Sequence, residues 1–208
     1  MRGKFITIEG IEGTGKSTNI EFLAAILEKR GIDVLRTREP GGTPMAERIR
    51  DMVLEHGDEP LPDIAELLLF FAARSLHITN TIRPALAAGQ WVICDRFTDA
   101  SRAYQGHGRD LGLDKVELLA EWVQEDLRPD LTYLLDAPAE LGKARAASRG
   151  GEDRIDAEQA SFYQRVREGY LALVEADPGR FAVVDASQPL ADVQARIVSE
   201  LDRLFDDN

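Results

Sequence analysis

The run Gly10-Ile11-Glu12-Gly13-Thr14-Gly15-Lys16-Ser17 matches the pattern Gly-x-x-x-x-Gly-Lys-Ser/Thr at every fixed position, and it constrains the fold more than any other stretch of the chain. Phe5-Ile6-Thr7-Ile8 before it reads as a short buried strand. Ile20, Leu23, Ala24 and Leu27 after it recur at helical spacing. A strand, a glycine loop and a helix N-terminus in that order make an anion site, because backbone N–H groups point inward and the helix dipole favours negative charge. Gly10, Ile11, Glu12, Gly13, Thr14, Gly15, Lys16, Ser17 and Thr18 are the expected phosphate cradle. Lys16 is expected to reach the outer phosphates and the Ser17 hydroxyl to hold Mg2+.

The rest of the chain continues the alternation that the loop begins. Strand-like runs fall at 5–8, 34–37, 91–95, 131–136 and 181–185. Helical patterns fall near 17–30, 45–55, 64–88, 114–126, 139–147, 157–176 and 190–204. Gly31, Gly89 and Pro129 punctuate between them. This rhythm predicts an α/β fold of the P-loop NTPase kind, with a mostly parallel five-stranded sheet and helices on both faces. With no internal repeat and no long linker in 208 residues, a single domain over 1–208 is expected. In such folds ligands bind beyond the carboxyl ends of the strands. The stretch from Glu9 to Ser17, the pair Arg38-Glu39 and the pair Asp95-Arg96 each follow a strand directly.

Charge narrows the ligand. With 37 acidic and 25 basic side chains the net charge is −12, which argues against a nucleic-acid surface or an anionic membrane surface. The longest apolar run, 67–73, is too short to span a bilayer, and the apolar run at the N-terminus is too short for a signal peptide. A soluble cytoplasmic protein is therefore expected. Cys94 is the only cysteine and reads as a small buried hydrophobe. His56, His77 and His107 show no metal-ligand spacing.

Four further stretches offer chemistry, each beside a plainer reading. In Arg38-Glu39-Pro40-Gly41-Gly42-Thr43, Arg38 stands where a phosphate could be forked, or is a surface arginine on a turn. Asp95 closes the third strand, where these folds place the acid that supports Mg2+, and Arg96 adds a guanidinium; an acid–base pair capping a strand also fits. Phe70 and Arg74 share a helix face and could stack and hydrogen-bond a base, or be core with Arg74 reaching solvent. Ser148-Arg149-Gly150-Gly151-Glu152-Asp153-Arg154 suits a mobile lid at about 148–155, or a solvated charged loop. Arg38, Arg96, Arg149 and Arg154 are expected on one rim. A local basic mouth in an acidic protein points to a small polyanion.

Taken together, these motifs resemble the thymidylate kinase family over nearly the whole chain. The resemblance rests on Phe5 to Thr18, Thr37 to Thr43, Phe70-Phe71-Ala72-Ala73-Arg74, Asp95-Arg96-Phe97, Ala103-Tyr104-Gln105-Gly106 and Arg149 to Ile155 in order. It implies a nucleoside-monophosphate-kinase type of fold, a homodimer, and transfer of the γ-phosphoryl of ATP to dTMP with Mg2+. Lys16, Arg38, Asp95, Arg96, Arg149 and Arg154 would then be catalytic. The loop from Gly10 to Thr18 would hold ATP, and Ser17 and Asp95 the metal. Phe70 would stack on thymine, Arg74 would bond its edge, and Ser101 and Gln105 would line the base pocket. Tyr104 would crowd the sugar 2′ position, Glu12 would meet the 3′-hydroxyl, and Arg38 and Arg96 would hold the acceptor phosphate. Some members carry an arginine in the loop where this chain has Gly13. The missing charge is expected from Arg149 and Arg154, as in the bacterial form with lid arginines. An arginine introduced at Gly13 is expected either to restore part of that charge or to clash with the lid. Phe97 stands where some relatives have tyrosine or histidine. The competing readings are a kinase for another deoxynucleotide or a deoxynucleoside, and a nucleotide-switched regulatory module. Arg38 plus Arg96 favour a phosphorylated acceptor.

Overall fold

The structure, a computed structural model, describes residues 2–147 and 153–206. Five strands form one sheet: β1 (Phe5–Glu9), β2 (Val34–Arg38), β3 (Trp91–Asp95), β4 (Leu131–Asp136) and β5 (Phe181–Asp185), in the spatial order β2-β3-β1-β4-β5. Every pairing is parallel. β1 lies at the centre, buried throughout, which is why Phe5 to Ile8 reads as an unbroken run rather than an alternation.

The chain leaves β1 for one edge through α1 (Lys16–Lys29) and later returns across β1 in the opposite direction. Crossovers of one hand therefore put helices on both faces. On one face α1 and α9 (Leu190–Asp206) bury Leu23, Leu27, Ile197 and Leu201 against Ile6, Ile8, Ile93 and Leu135. On the other, Ile78, Ile82, Leu86 and Phe97 cover Phe5, Val92 and Cys94. Phe162, Val166 and Tyr170 of α8 (Ala160–Ala176) cover Leu134 and Phe181 there too. Cys94 sits in this core, where burial pushes its thiol up.

The helical pattern at 64–88 is not one helix. α3 (Asp63–His77) passes through a π-helical turn, Ile78–Ile82, into α4 (Arg83–Ala87). Pro84 explains the break. It has no N–H, and its ring clashes with the carbonyl four residues back in a regular helix, so the preceding turn widens. A second departure lies after β3. No helical pattern was expected between 88 and 114, yet the chain forms α5 (Thr98–Ser101) and the π-helical stretch Arg102–Gly108. Two glycines make that stretch a poor helix former in isolation. Packing holds it: a Cβ on Gly108 would stand 2.7 Å from the Phe162 ring, so glycine lets α8 come this close. The remaining helices are α2 (Pro44–Leu54), α6 (Leu113–Gln124) and α7 (Ala139–Ala147).

Candidate functional site

The glycine loop takes its shape from backbone that only glycine adopts freely. Gly13 has φ 77 and Gly15 φ 85, and Gly15 caps α1. Gly13 is also pressed onto α7: a Cβ there would lie 2.0 Å from the Gly142 carbonyl oxygen. An arginine at position 13 would thus meet the α7 backbone before it reached any lid. Thr14 Oγ1 donates to Ile11 O at 2.9 Å and ties the loop to itself. Lys16 Nζ donates to Gly10 O at 3.3 Å and Ile11 O at 3.0 Å, and stands 3.7 Å from Glu12. Burial and then Arg96 lower its pKa, against the pull of Glu12 and Asp95. Ser17 and Thr18 are exposed in the first turn of α1.

The loop, the end of β2 and the end of β3 enclose one polar cavity. Lys16, Ser17, Arg38, Arg50, Asp95 and Arg96 all face it. The register sets Asp95 opposite both Ile8 and Arg38. Asp95 Oδ1 is buried with no hydrogen-bond partner among the described residues. Arg38 donates to Pro40 O at 3.0 Å and Glu47 at 2.9 Å. Arg50 donates to the same Pro40 carbonyl at 3.0 Å; burial and the neighbouring Arg38 lower its pKa.

Arg96 occupies the left-handed region, with φ 68, a conformation that costs a non-glycine residue about 1–3 kcal/mol. The surroundings hold it there. Its backbone N–H donates to Ile8 O at 3.0 Å, and the next N–H, that of Phe97, donates to Glu9 Oε1 at 2.7 Å. The guanidinium reaches Glu12 at 2.6 Å and Tyr104 Oη at 2.9 Å, and lies over the Tyr104 ring. Glu9 is fully buried. Burial first, then Asp99, pushes its carboxyl up to about 8, although Arg96 and the Tyr170 hydroxyl oppose the shift.

A second, more apolar cavity adjoins the first and shares Glu12, Glu39, Arg50 and Arg96 with it. Phe70, Arg74, Ser101, Tyr104 and Gln105 line it. Arg74 does not reach solvent: it is 1% exposed. Its Nε donates to Glu39 at 2.7 Å, and its Nη2 to Phe97 O at 3.1 Å and Ser101 Oγ at 3.0 Å. Its Nη1 is buried without a hydrogen-bond partner among the described residues. Glu39 also meets His77 Nδ1 at 3.0 Å, and His77 Nε2 meets Thr37 Oγ1 at 2.7 Å, so this histidine is doubly bonded in the core. His56 is exposed. His107, on the π-helical stretch, packs its ring against Gly169. Among the described residues no group of three or more His, Cys, Asp or Glu could hold a metal ion.

Of the four arginines expected on one rim, the three that the structure describes do not all gather there. Arg38 and Arg96 face the phosphate-loop cavity, and Arg149 lies outside the described residues. Arg154 is held elsewhere. Its Nη2 bonds Glu66, and its Nε donates to Val53 O at 2.9 Å. Glu66 is 1% exposed, and a buried carboxylate draws the nearest guanidinium in place of solvent. The third arginine in the cavity is instead Arg50, which belongs to no glycine or proline motif. Its one signal was spacing: it falls on α2 between the buried Ala46 and Val53, four after one and three before the other. Glu39 was placed at a strand end but given no role, and Glu66 was missed. Both are carboxylates whose partners lie 35 or more residues away.

The thymidylate kinase family model matches residues 8–197. The chain is 55% identical over 206 residues to the thymidylate kinase of Pseudomonas savastanoi pv. phaseolicola, covering 99% of this chain and 98% of that protein. It is 54% identical over 203 residues to that of Methylococcus capsulatus, covering 98% and 97%. Among solved structures, the crystal structure of thymidylate kinase from Ehrlichia chaffeensis superposes with a TM-score of 0.78 at 32% identity, covering 97% of this chain and 99% of that one.

Proposed function

Because the chain belongs to the thymidylate kinase family and is an ATP-dependent phosphotransferase that converts dTMP to dTDP, we propose that its two joined cavities divide the substrates between them. The triphosphate sits on the loop from Gly10 to Thr18. Thymidylate sits in the cleft lined by Phe70, Arg74, Ser101, Tyr104 and Gln105, its phosphate between Arg38, Arg50 and Arg96. The observation that carries this reading is Arg74 Nη1, a buried donor with no partner among the described residues, in a cleft that adjoins the phosphate-loop cavity. An unmet buried donor is costly, and a base-edge acceptor would satisfy it.

The nucleophile is a phosphate oxygen of dTMP, which is largely ionised at pH 7 because its second pKa is about 6. No protein base is therefore required. The protein's own work is alignment, with Arg96 and Glu12 at the junction of the two cavities, and neutralisation of charge spreading over the transferring group. Lys16 would turn from the loop carbonyls toward the outer phosphates. Tyr104 would stand against the sugar and Glu12 would meet its 3′-hydroxyl. Ser17 and Asp95 are the residues that would hold Mg2+, and a buried Asp95 Oδ1 without a partner among the described residues, in the same cavity as the exposed Ser17, suits a hard cation. Mg2+ held there would supply charge neutralisation to the triphosphate. Arg149 and Arg154 of a lid at 148–155 would meet the phosphoryl charge, which for Arg154 means exchanging Glu66 for a phosphate oxygen. The whole chain, 1–208, acts as one kinase domain.

The assembly we propose is a homodimer in the cytoplasm, where ATP and dTMP are supplied. Ile64 and Leu68 on α3 and Leu118 and Trp122 on α6 are exposed, Trp122 by 73%, and α3 and α6 pack side by side. Exposed apolar side chains on two adjoining helices support a covered surface there. No helix among the described residues is long and apolar enough to cross a membrane. A coupled assay with ATP against dTMP, dUMP, dCMP and thymidine tests the substrate reading. Turnover of dTMP and none of thymidine is expected; comparable turnover of thymidine would overturn it.

A further inference from the structure

Gln105 could face the cleft with either end of its amide, and the two ends select different bases. Its Nε2 lies 2.8 Å from Glu66 Oε1. Glu66 also accepts from Arg109 Nη2 at 3.2 Å and Nε at 3.3 Å, and from Arg154 Nη2. Burial alone would raise its pKa, but Arg109, the Gln105 amide and Arg154 outweigh it and hold the carboxyl below the usual range. Glu66 is therefore ionised at neutral pH, and an ionised carboxylate only accepts. The amide nitrogen must face Glu66, and the amide oxygen is the end left for the cleft.

We infer that Glu66 is the positioning residue that sets base selection, by holding the Gln105 carbonyl toward the acceptor cleft beside the Arg74 Nη1 donor. One fixed donor and one fixed acceptor match a base edge that carries a carbonyl next to an N–H, as thymine and uracil do at O4 and N3. Cytosine reverses both groups, so it would set N–H against N–H and lone pair against lone pair. Ser101 cannot supply this selection. Its hydroxyl accepts from Arg74 at 3.0 Å, and its proton can rotate to suit either base. The inference rests on the assignment of this cleft to the acceptor base.

Glu66→Gln tests it, because the replacement dictates its own orientation. Arg109 Nη2 and Arg154 Nη2 both donate to the Oε2 end, whereas only Arg109 Nε, at 3.3 Å, joins Gln105 at the Oε1 end, so an amide there is better met with its oxygen toward the two guanidinium donors. Its nitrogen then turns to Gln105, which must flip and offer the cleft an N–H. The kcat/KM ratio of dTMP over dCMP is expected to fall on the order of tenfold or more, with the dTMP over dUMP ratio unchanged. Glu66→Asp keeps the charge against both arginines but draws the carboxylate back from Gln105. It should move the dTMP over dCMP ratio the same way by a smaller factor, and it decides the matter alone if Glu66→Gln does not fold. A parallel loss for dTMP, dUMP and dCMP in the folded variants would make Glu66 a purely structural ion-pair partner and overturn the inference. Gln105→Leu separates the underlying reading. It should raise KM for dTMP with little change for ATP; an unchanged dTMP KM means that the base lies elsewhere, and the inference falls with it.

Discussion

Gly142→Ala sets helix propensity against a backbone contact, and the structure says which wins. Gly142 lies in the interior of α7, where alanine is intrinsically better than glycine by about 1 kcal/mol. Its space is already taken, however. A Cβ at Gly142 would stand 2.5 Å from Glu12 O and 2.8 Å from Ile11 Cδ1. The Ile11 side chain can rotate away, but the Glu12 carbonyl is backbone and belongs to the phosphate loop. Its separation must grow from 2.5 Å to an ordinary 3.4 Å or more, so either α7 lifts or the loop deforms. Overpacking of this size costs about 1–3 kcal/mol, so the net change in stability is small or unfavourable despite the better helix former. The larger effect falls on catalysis. A misplacement on the order of 1 Å near a phosphoryl-transfer site costs roughly 10²-fold. We expect kcat/KM for ATP to fall by about that factor while dTMP binding, measured by calorimetry without ATP, stays within a few-fold of wild type. The assay is steady-state kinetics with each substrate varied, alongside a thermal melt. An unchanged kcat/KM for ATP in a folded variant would refute the reasoning, because the contact between α7 and the loop would then carry no functional geometry.

Lys16→Ala should lower kcat by roughly 10²-fold or more while leaving the melt cooperative, since the ammonium matters most once charge spreads over the transferring phosphoryl; near-normal kcat would move the donor site off this loop. Arg154→Ala should cost on the order of 10³-fold in kcat with little change in KM for dTMP, and a loss of only a few-fold would leave Arg154 as a structural partner of Glu66. Glu9→Gln bears on pH. Burial raises the folded Glu9 from 4.5 to about 8, so between those values the folded state holds a proton that the unfolded state has released. Its contribution to stability is complete at low pH and is lost as pH rises through that window. Glutamine mimics the protonated acid, so the fall in Tm from pH 5 to pH 8 should be shallower in the variant than in the wild type; parallel curves would show that Glu9 is ionised throughout.

Much of the backbone path could be read from spacing alone. Trp91–Asp95, Leu131–Asp136 and Phe181–Asp185 coincide with their expected runs, and the first two strands extend one residue beyond theirs. Burial on both faces of a parallel strand demands a continuous apolar run, and that demand is local. The glycine loop was legible for the same reason: positive φ at Gly13 and Gly15 is a property of single residues. Helix interruptions were less so. The break at Ile78–Ile82 needed the weight of one proline to be set against a strong apolar pattern, and Arg102–Gly108 is helical because α8 packs on it.

Residue types and their order told that arginines, aromatics and a glycine loop would meet at the carboxyl ends of the strands. Only the tertiary structure decided which cation meets which anion. Arg154 lies 88 positions from Glu66 in the chain, Arg96 84 from Glu12, and Arg74 35 from Glu39. Helical or strand periodicity speaks to neighbours a few residues apart and is silent over such distances. The pairing of a charged side chain follows from which buried carboxylate the packing brings within reach, and a buried charge must be met wherever packing leaves it. Arg74 was therefore free to be surface or site in the sequence. In the fold, Glu39, Phe97 and Ser101 fix every part of its guanidinium but Nη1, and leave that one donor for the cleft.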